Sequence, residues 1–305
     1  MTPQRALVVG ESLIDVVHRR DGRTGSHPGG SPMNVAIGLA RLDREAHLLT
    51  WFADDDAGAD LRTHLAGSGV HVVAGSDGAE RTSRAIATLD EHGAASYEFD
   101  IDWRLPEQVP ALDPLVVHTG SIAAVLEPGA SAVLDLVRAH RDSATITYDP
   151  NMRPALMGTP AEAAEHVEPM LDAADVVKVS DEDLAWYAPG EPVTEVAARW
   201  ATRGPAVVVV TLGGDGAIAV TSGGVRVEVA APRVEVADTV GAGDSFMGGL
   251  VDGLWSAGLL GAQRRETLRA VDAETLAAVL TRCTRIAAIT VSRPGADPPT
   301  SAELD

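Results

Sequence analysis

One lysine and one cysteine are all that 305 residues contain of those types, and each shortage removes a class of function. With a formal charge of -20 and Lys178 as its sole lysine, the chain lacks the clustered cations that neutralise phosphate backbones, so nucleic acid is excluded as a partner. The acidity reads instead as solubility. Cys283 has no second cysteine to pair with, and it falls inside an apolar helical pattern that marks it as packing rather than chemistry. The nine histidines are scattered, without an H-E-x-x-H or paired C-x-x-C spacing, so no zinc centre is expected. No apolar run approaches the ~18 residues of a membrane span. The opening "MTPQRALVVG" carries no basic segment followed by a signal-length apolar stretch, and a cytoplasmic location is expected.

What is present is 45% apolar residues with only 4% aromatics, enough for a core built from small and branched side chains. Length admits either one large α/β domain with a small appendage or two equal domains. The pattern decides for the first. Apolar runs "ALVVG" (6–10), "LVVH" (115–118), "ATITYD" (144–149), "DVVKVS" (175–180) and "AVVVVT" (206–211) alternate with helical stretches at 128–141, 160–173 and 193–203. Runs apolar on both faces and separated by helices predict a mostly parallel sheet covered on each side, a three-layer α/β/α sandwich. Residues 11–28 and 83–103 break that rhythm. "SRAIATLDEHGAASYEFD" reads as a hairpin turning at "DEHG", and strands inserted this way form a small β lid on a single domain spanning 1–305.

The stretch "DTVGAGDSF" (238–246) places two glycines and an aspartate ahead of a helix expected over roughly 243–257. A tight turn through Gly241, Ala242 and Gly243 aims backbone N–H groups outward with the positive end of the helix dipole behind them, which makes an anion cradle. Asp244 stands at the same helix start, where the dipole favours a carboxylate able to accept a hydroxyl proton. Cradle and base within bonding distance are what phosphoryl transfer to an alcohol requires. An isolated Asp at a helix start is more often a structural residue; the remaining segments carry the functional reading.

In "HPGGSPMNVAIGLARL" (27–42), Ser31 reads as an N-cap and Pro32 as the first helical residue. Gly29 and Gly30 allow close approach, and the Asn34 amide offers donor and acceptor to a polyol; a well-capped core helix is the equal alternative. Asn151 and Arg153, in "YDPNMRP" (148–154), follow a strand and so lie at the sheet end where open α/β folds bind ligands, unless the segment is only a strand-to-helix turn. "TLGGDGAI" (211–218) brings glycines near a nucleotide or simply turns a hairpin. "HRD" at 140–142 mimics a protein-kinase loop, yet Thr147 stands where its Asn belongs and no D-F-G follows. A G-x-x-x-x-G-K-[ST] loop is absent, and the first strand ends in "VVGESLID" without a dinucleotide-binding glycine turn.

Taken in order, these segments resemble the ribokinase family of carbohydrate kinases, also called the PfkB family, over nearly the whole chain. "GGSPMNVAIGLARL" is similar to its N-terminal signature and "DTVGAGDSFMGGLVDGL" (238–254) to its highly specific C-terminal one; "GESLID", "YDPNMR" and "AAITVSRPGADPPT" (287–300) are nearest the bacterial fructokinase branch. The resemblance implies a ribokinase-like fold and ATP-dependent phosphorylation of a primary sugar hydroxyl, fructose first. 2-Keto-3-deoxygluconate, ribose or a nucleoside would use the same machinery, an acid sugar calling on Arg84 or Arg104; a sugar-binding sensor without catalysis is the remaining alternative. It further implies Asp244 as base with the amides of 241–243 as anion hole, and Asp15, Gly29, Gly30 and Asn34 on the sugar. Tyr97 and Phe99 would come from the lid, and Thr211, Gly213 and Gly216 would face the nucleotide. Mg²⁺ is implied as a cofactor, with K⁺ or another monovalent ion near the backbone of Asp238 and Val240. The family's N-x-x-E motif appears as "SDED", with Ser180 for Asn and Asp183, a shorter reach, for Glu. Exposed lid strands suggest a homodimer through the lid.

Overall fold

Each apolar run of the sequence becomes a strand of one central sheet. The computed structural model describes residues 4–18, 24–89 and 95–304, with the backbone alone for 87–89 and 95–97. The chain opens with β1 (Arg5–Val9), β2 (Leu13–His18), β3 (Thr24–Gly29), α1 (Ser31–Arg41), β4 (Glu45–Leu49), α2 (Asp56–Gly67) and the two-residue β5 (His71–Val72). The hairpin β6 (Arg84–Leu89) and β7 (Ala95–Asp100) follows, its "DEHG" turn lying outside the described residues. Next come β8 (Val116–Gly120), α3 (Gly129–His140), β9 (Thr145–Asp149), α4 (Pro154–Met157), α5 (Pro160–Ala173) and β10 (Val176–Ser180). The last third holds α6 (Asp181–Tyr187), α7 (Val193–Ala201), β11 (Val207–Thr211), β12 (Ala217–Thr221), β13 (Arg226–Val229), α8 (Ala242–Ser256), α9 (Arg265–Arg269) and α10 (Ala273–Val291).

The main sheet has nine strands in the order β13-β12-β11-β10-β9-β8-β1-β4-β5. It is parallel from β11 to β5, and β12 and β13 close one edge antiparallel. Strand alternation divides the core in two. Ala6, Val8, Val207 and Val209 face the layer of α1, α2, α8 and α10, whereas Leu7, Val9, Val208 and Val210 face α3, α5, α6 and α7. Both faces of β11 are fully buried, and each such Val stabilises by about 1.5–3 kcal/mol over exposure, so the strand end at Thr211 is firmly anchored. No helix among the described residues is long and apolar enough to cross a membrane.

A second sheet, ordered β3-β2-β6-β7, is built from the two segments that interrupt the α/β rhythm. β2 pairs antiparallel with β3 and parallel with β6, and β6 with β7 antiparallel. Its polypeptide leaves the main sheet after β1 and returns through β3 directly into α1, so the small sheet is joined to the helix that begins at the sheet's carboxyl end.

Candidate active site

The site is organised by the start of α8. Gly241 is its N-cap, in the left-handed region at φ 76°, and contributes no side-chain cap. The helix begins at Ala242, one residue earlier than the sequence pattern suggests. A glycine cap leaves the first-turn N–H groups without a side-chain acceptor. That of Ala242 makes a 3.3 Å turn contact to Thr239 O; those of Gly243 and Asp244 belong to the turn where no intrahelical acceptor exists. From Asp244 to Leu254 the helix is buried, so its dipole acts in a poorly screened medium.

Asp244 sits in that first turn and is 9% exposed. Ser31 Oγ donates to its Oδ1 at 2.6 Å and Asn34 Nδ2 to its Oδ2 at 2.8 Å. One expectation changes here. Ser31 does not cap α1; Gly30 does, at φ 119°, because the Ser31 hydroxyl is spent on a charged acceptor, a stronger bond than one to a backbone amide. Asn34 donates an amide N–H to the same carboxylate. Among the described residues two of the roughly four acceptor positions of Asp244 are used, which leaves it capacity to accept a hydroxyl proton.

Around this carboxylate the chain is tightly fitted. A Cβ at Gly30 would lie 2.4 Å from Glu11 O, and one at Gly29 would lie 2.0 Å from Asp15 Oδ2. The Asp15 carboxyl is raised above the usual aspartate range, chiefly by burial and also by the charge of Asp244, while Arg153 and His27 pull it down. His27, opposite Asp15 on β3, escaped the sequence reading. Arg153 Nη1 folds back on Asn151 O, Asn151 Oδ1 and Met152 O, and Asn151 takes a positive φ of 38°, as Asn tolerates. Phe99 lies half-buried on β7. Tyr97 is on the same strand, its side chain outside the described residues.

Glu11 was also missed. It is 3% exposed, accepts a bond from Ala123 N at 3.2 Å, and burial pushes its carboxyl from 4.5 up to about 7. The folded protein thus holds a proton that the unfolded chain releases: the stability this proton brings is full below 4.5 and lost as pH rises through about 7. Glu11→Gln is expected to raise the melting temperature at about pH 8 and to gain little at about pH 5; paired thermal melts check it, and an equal gain at both values would exclude Glu11 as the titrating group.

On the far side of the same sheet end, Ser180 and Thr211 stand in register at the tips of β10 and β11. Gly213 is exposed in the turn that joins β11 to antiparallel β12, and Gly216 is buried there. The "SDED" segment forms a capping box at the start of α6: Asp183 N donates to Ser180 Oγ, and Asp183 Oδ2 accepts from Ser180 N. Asp183 Oδ1 accepts from Met152 N at 3.1 Å, tying the loop after β9 to α6. Among the described residues no group of three or more His, Cys, Asp or Glu could hold a metal ion. Asp183 and Ser180 have side-chain oxygens engaged in hydrogen bonds of the protein itself. Asp238 Oδ1 accepts from Val240 N and Oδ2 from Gly295 N; these bonds hold its carboxyl below the usual range and fix the loop that leads into α8.

At the α1/α8 junction Asn34 and residues 241–243 are half-exposed, so solvent reaches the first turn of α8. A hollow of about 170 Å³ bordered by Leu171, Tyr187 and Trp200 lies on the opposite face of the main sheet and touches none of these groups. Two residues behind that turn of α8 complete the picture: Lys178 Nζ pairs with Asp149 Oδ2 at 2.9 Å, and both are buried. The sequence signal was there, a solitary lysine inside an apolar strand.

A family model described as pfkB family carbohydrate kinase matches residues 3–303. A fructokinase of Klebsiella pneumoniae is 33% identical over 83% of this chain and 85% of its own. Among solved structures, a fructokinase of Xylella fastidiosa with bound ATP superposes with a TM-score of 0.82 at 24% identity, covering 99% of this chain and 97% of that one. A double mutant of the Vibrio cholerae O395 fructokinase, bound to fructose, ADP and a potassium ion, does so with a TM-score of 0.80 at 25% identity, covering 99% and 97%.

Proposed function

The chain belongs to the pfkB family of carbohydrate kinases, and from that premise we propose that it transfers the γ-phosphoryl group of ATP to the primary hydroxyl of fructose. The observation that carries this reading is the meeting of Asp244 with the uncapped first turn of α8, held by Ser31 and Asn34. Asp244 takes the hydroxyl proton as the sugar oxygen bonds to the γ-phosphorus, and the bond from that phosphorus to the β-phosphate oxygen breaks to leave ADP. The amides of 241–243 receive the charge that gathers on the transferred group. Asp15, Gly29, Gly30 and Asn34 hold the sugar, with Asn151 and Arg153 at its edge. The small sheet, with Tyr97 and Phe99, closes over it and excludes water, a competing acceptor.

Thr211, Gly213 and Gly216 take the nucleotide. Ser180 and Asp183 would support a Mg²⁺ ion through water, and that ion would supply charge neutralisation on the phosphates; the backbone of Asp238 and Val240 would hold K⁺, an ion the Vibrio relative carries. The reading places the reaction in the cytoplasm, in a homodimer paired through the small sheet, whose edges are β3 and β7.

Coupled ADP release across a sugar panel tests the proposal, with fructose expected to give the highest kcat/KM. A higher value for ribose, 2-keto-3-deoxygluconate or a nucleoside would overturn the substrate. Absence of ADP with every sugar, alongside a thermal shift on sugar binding, would overturn the catalytic reading in favour of a sensor.

A further inference from the structure

The solitary lysine is placed where the fold has no need of it. Lys178 on β10 and Asp149 on β9 have side chains 4% and 1% exposed and meet at 2.9 Å. Removing two ions from water costs several kcal/mol each, and an apolar pair of like volume often holds a fold as well or better. What the ammonium faces is the site. A Cβ on Gly243 would lie 2.8 Å from Nζ, so the charge stands directly behind the first turn of α8, with Asp244 and Asp183 within its electrostatic reach. A cation at a helix N-terminus is unfavourable in the resting protein, and becomes favourable once negative charge arrives in front of that turn.

We propose that Lys178 is a positioning residue for phosphoryl transfer: clamped by Asp149, its ammonium backs the amides of 241–243 with fixed positive charge and sets their depth against the incoming phosphoryl group. Gly243 is then required because any side chain there would displace the ammonium. Asp149 fixes the lysine's direction by accepting one of its three N–H groups. The inference rests on phosphoryl transfer at Asp244.

Lys178→Met alone strands a buried carboxylate, so the informative protein is Lys178→Met combined with Asp149→Leu, which removes both ions. Folded by circular dichroism and thermal melting, it is expected to keep KM for ATP and sugar within about threefold and to lose about 10²-fold in kcat. A folded double variant with wild-type kcat would overturn the lysine's role. Should it not fold, the wild-type enzyme supplies the answer, because isotopic labelling of lysine gives one side-chain resonance, that of residue 178. This signal is expected to shift further with sugar, ADP, Mg²⁺ and aluminium fluoride, a mimic of the phosphoryl group in flight, than with sugar and ADP alone. An unmoved signal also overturns the proposal. A wild-type chain that forms no ADP defeats the kinase reading itself, whereas an active wild type beside an equally fast double variant defeats only the lysine.

Discussion

Asp244→Asn is expected to lower kcat by about 10²–10⁴-fold while KM for the sugar changes by no more than a few-fold. The amide is nearly isosteric with the carboxylate, and Asn34 and Ser31 remain to hold it. What disappears is the ability to take a proton as the sugar oxygen attacks, a loss confined to the transition state. Steady-state kinetics with saturating ATP check the split between kcat and KM. A variant retaining more than about half of the wild-type rate would remove Asp244 from the role of base.

Gly241→Ala is expected to cost about 10²–10³-fold in kcat by a different route. Residue 241 sits at φ 76°, where an L side chain costs about 1–2 kcal/mol. The added methyl would stand 2.6 Å from Ala296 Cβ and 2.9 Å from Ala296 Cα, too close to remain. α8 cannot yield, because Gly249 and Gly253 pack it closely on Cys283, Ile286 and Val279 of α10. The turn ahead of the helix moves instead, carrying the amides with it, and a misplacement of about 1 Å is enough for about a 10²-fold loss. Kinetics and a thermal melt together check this; wild-type values of both would show that the turn does not form the cradle.

The parts of this site that could be read from sequence are those with local signatures. A glycine cap followed by an aspartate in the first turn is a short-range pattern, and so are the apolar runs that become β1, β8, β9, β10 and β11. The outer strands β4, β5 and β13 were not anticipated: they are short or only partly buried, with a single buried residue in β13, and lack a continuous apolar run. Ser31 was misread because its partner lies 213 residues away, and local capping rules know nothing of a distant carboxylate. The bond from Asn34 to the same carboxylate lay beyond local reading for the same reason. Lys178 and Asp149 meet only because β9 and β10 are neighbours, which no spacing rule encodes. Glu11 is engaged by the backbone after β8, equally beyond the reach of periodicity.

A lysine withdrawn into the sheet also changes how the protein's unfolding can be watched. No other residue of the sequence carries a side-chain amine, and this one is 4% exposed, so acylating reagents find nothing to modify on the native side-chain surface. Modification of residue 178 must wait for β9 and β10 to part. Its rate, read at residue 178 itself, is therefore a clock for the opening of the innermost strands.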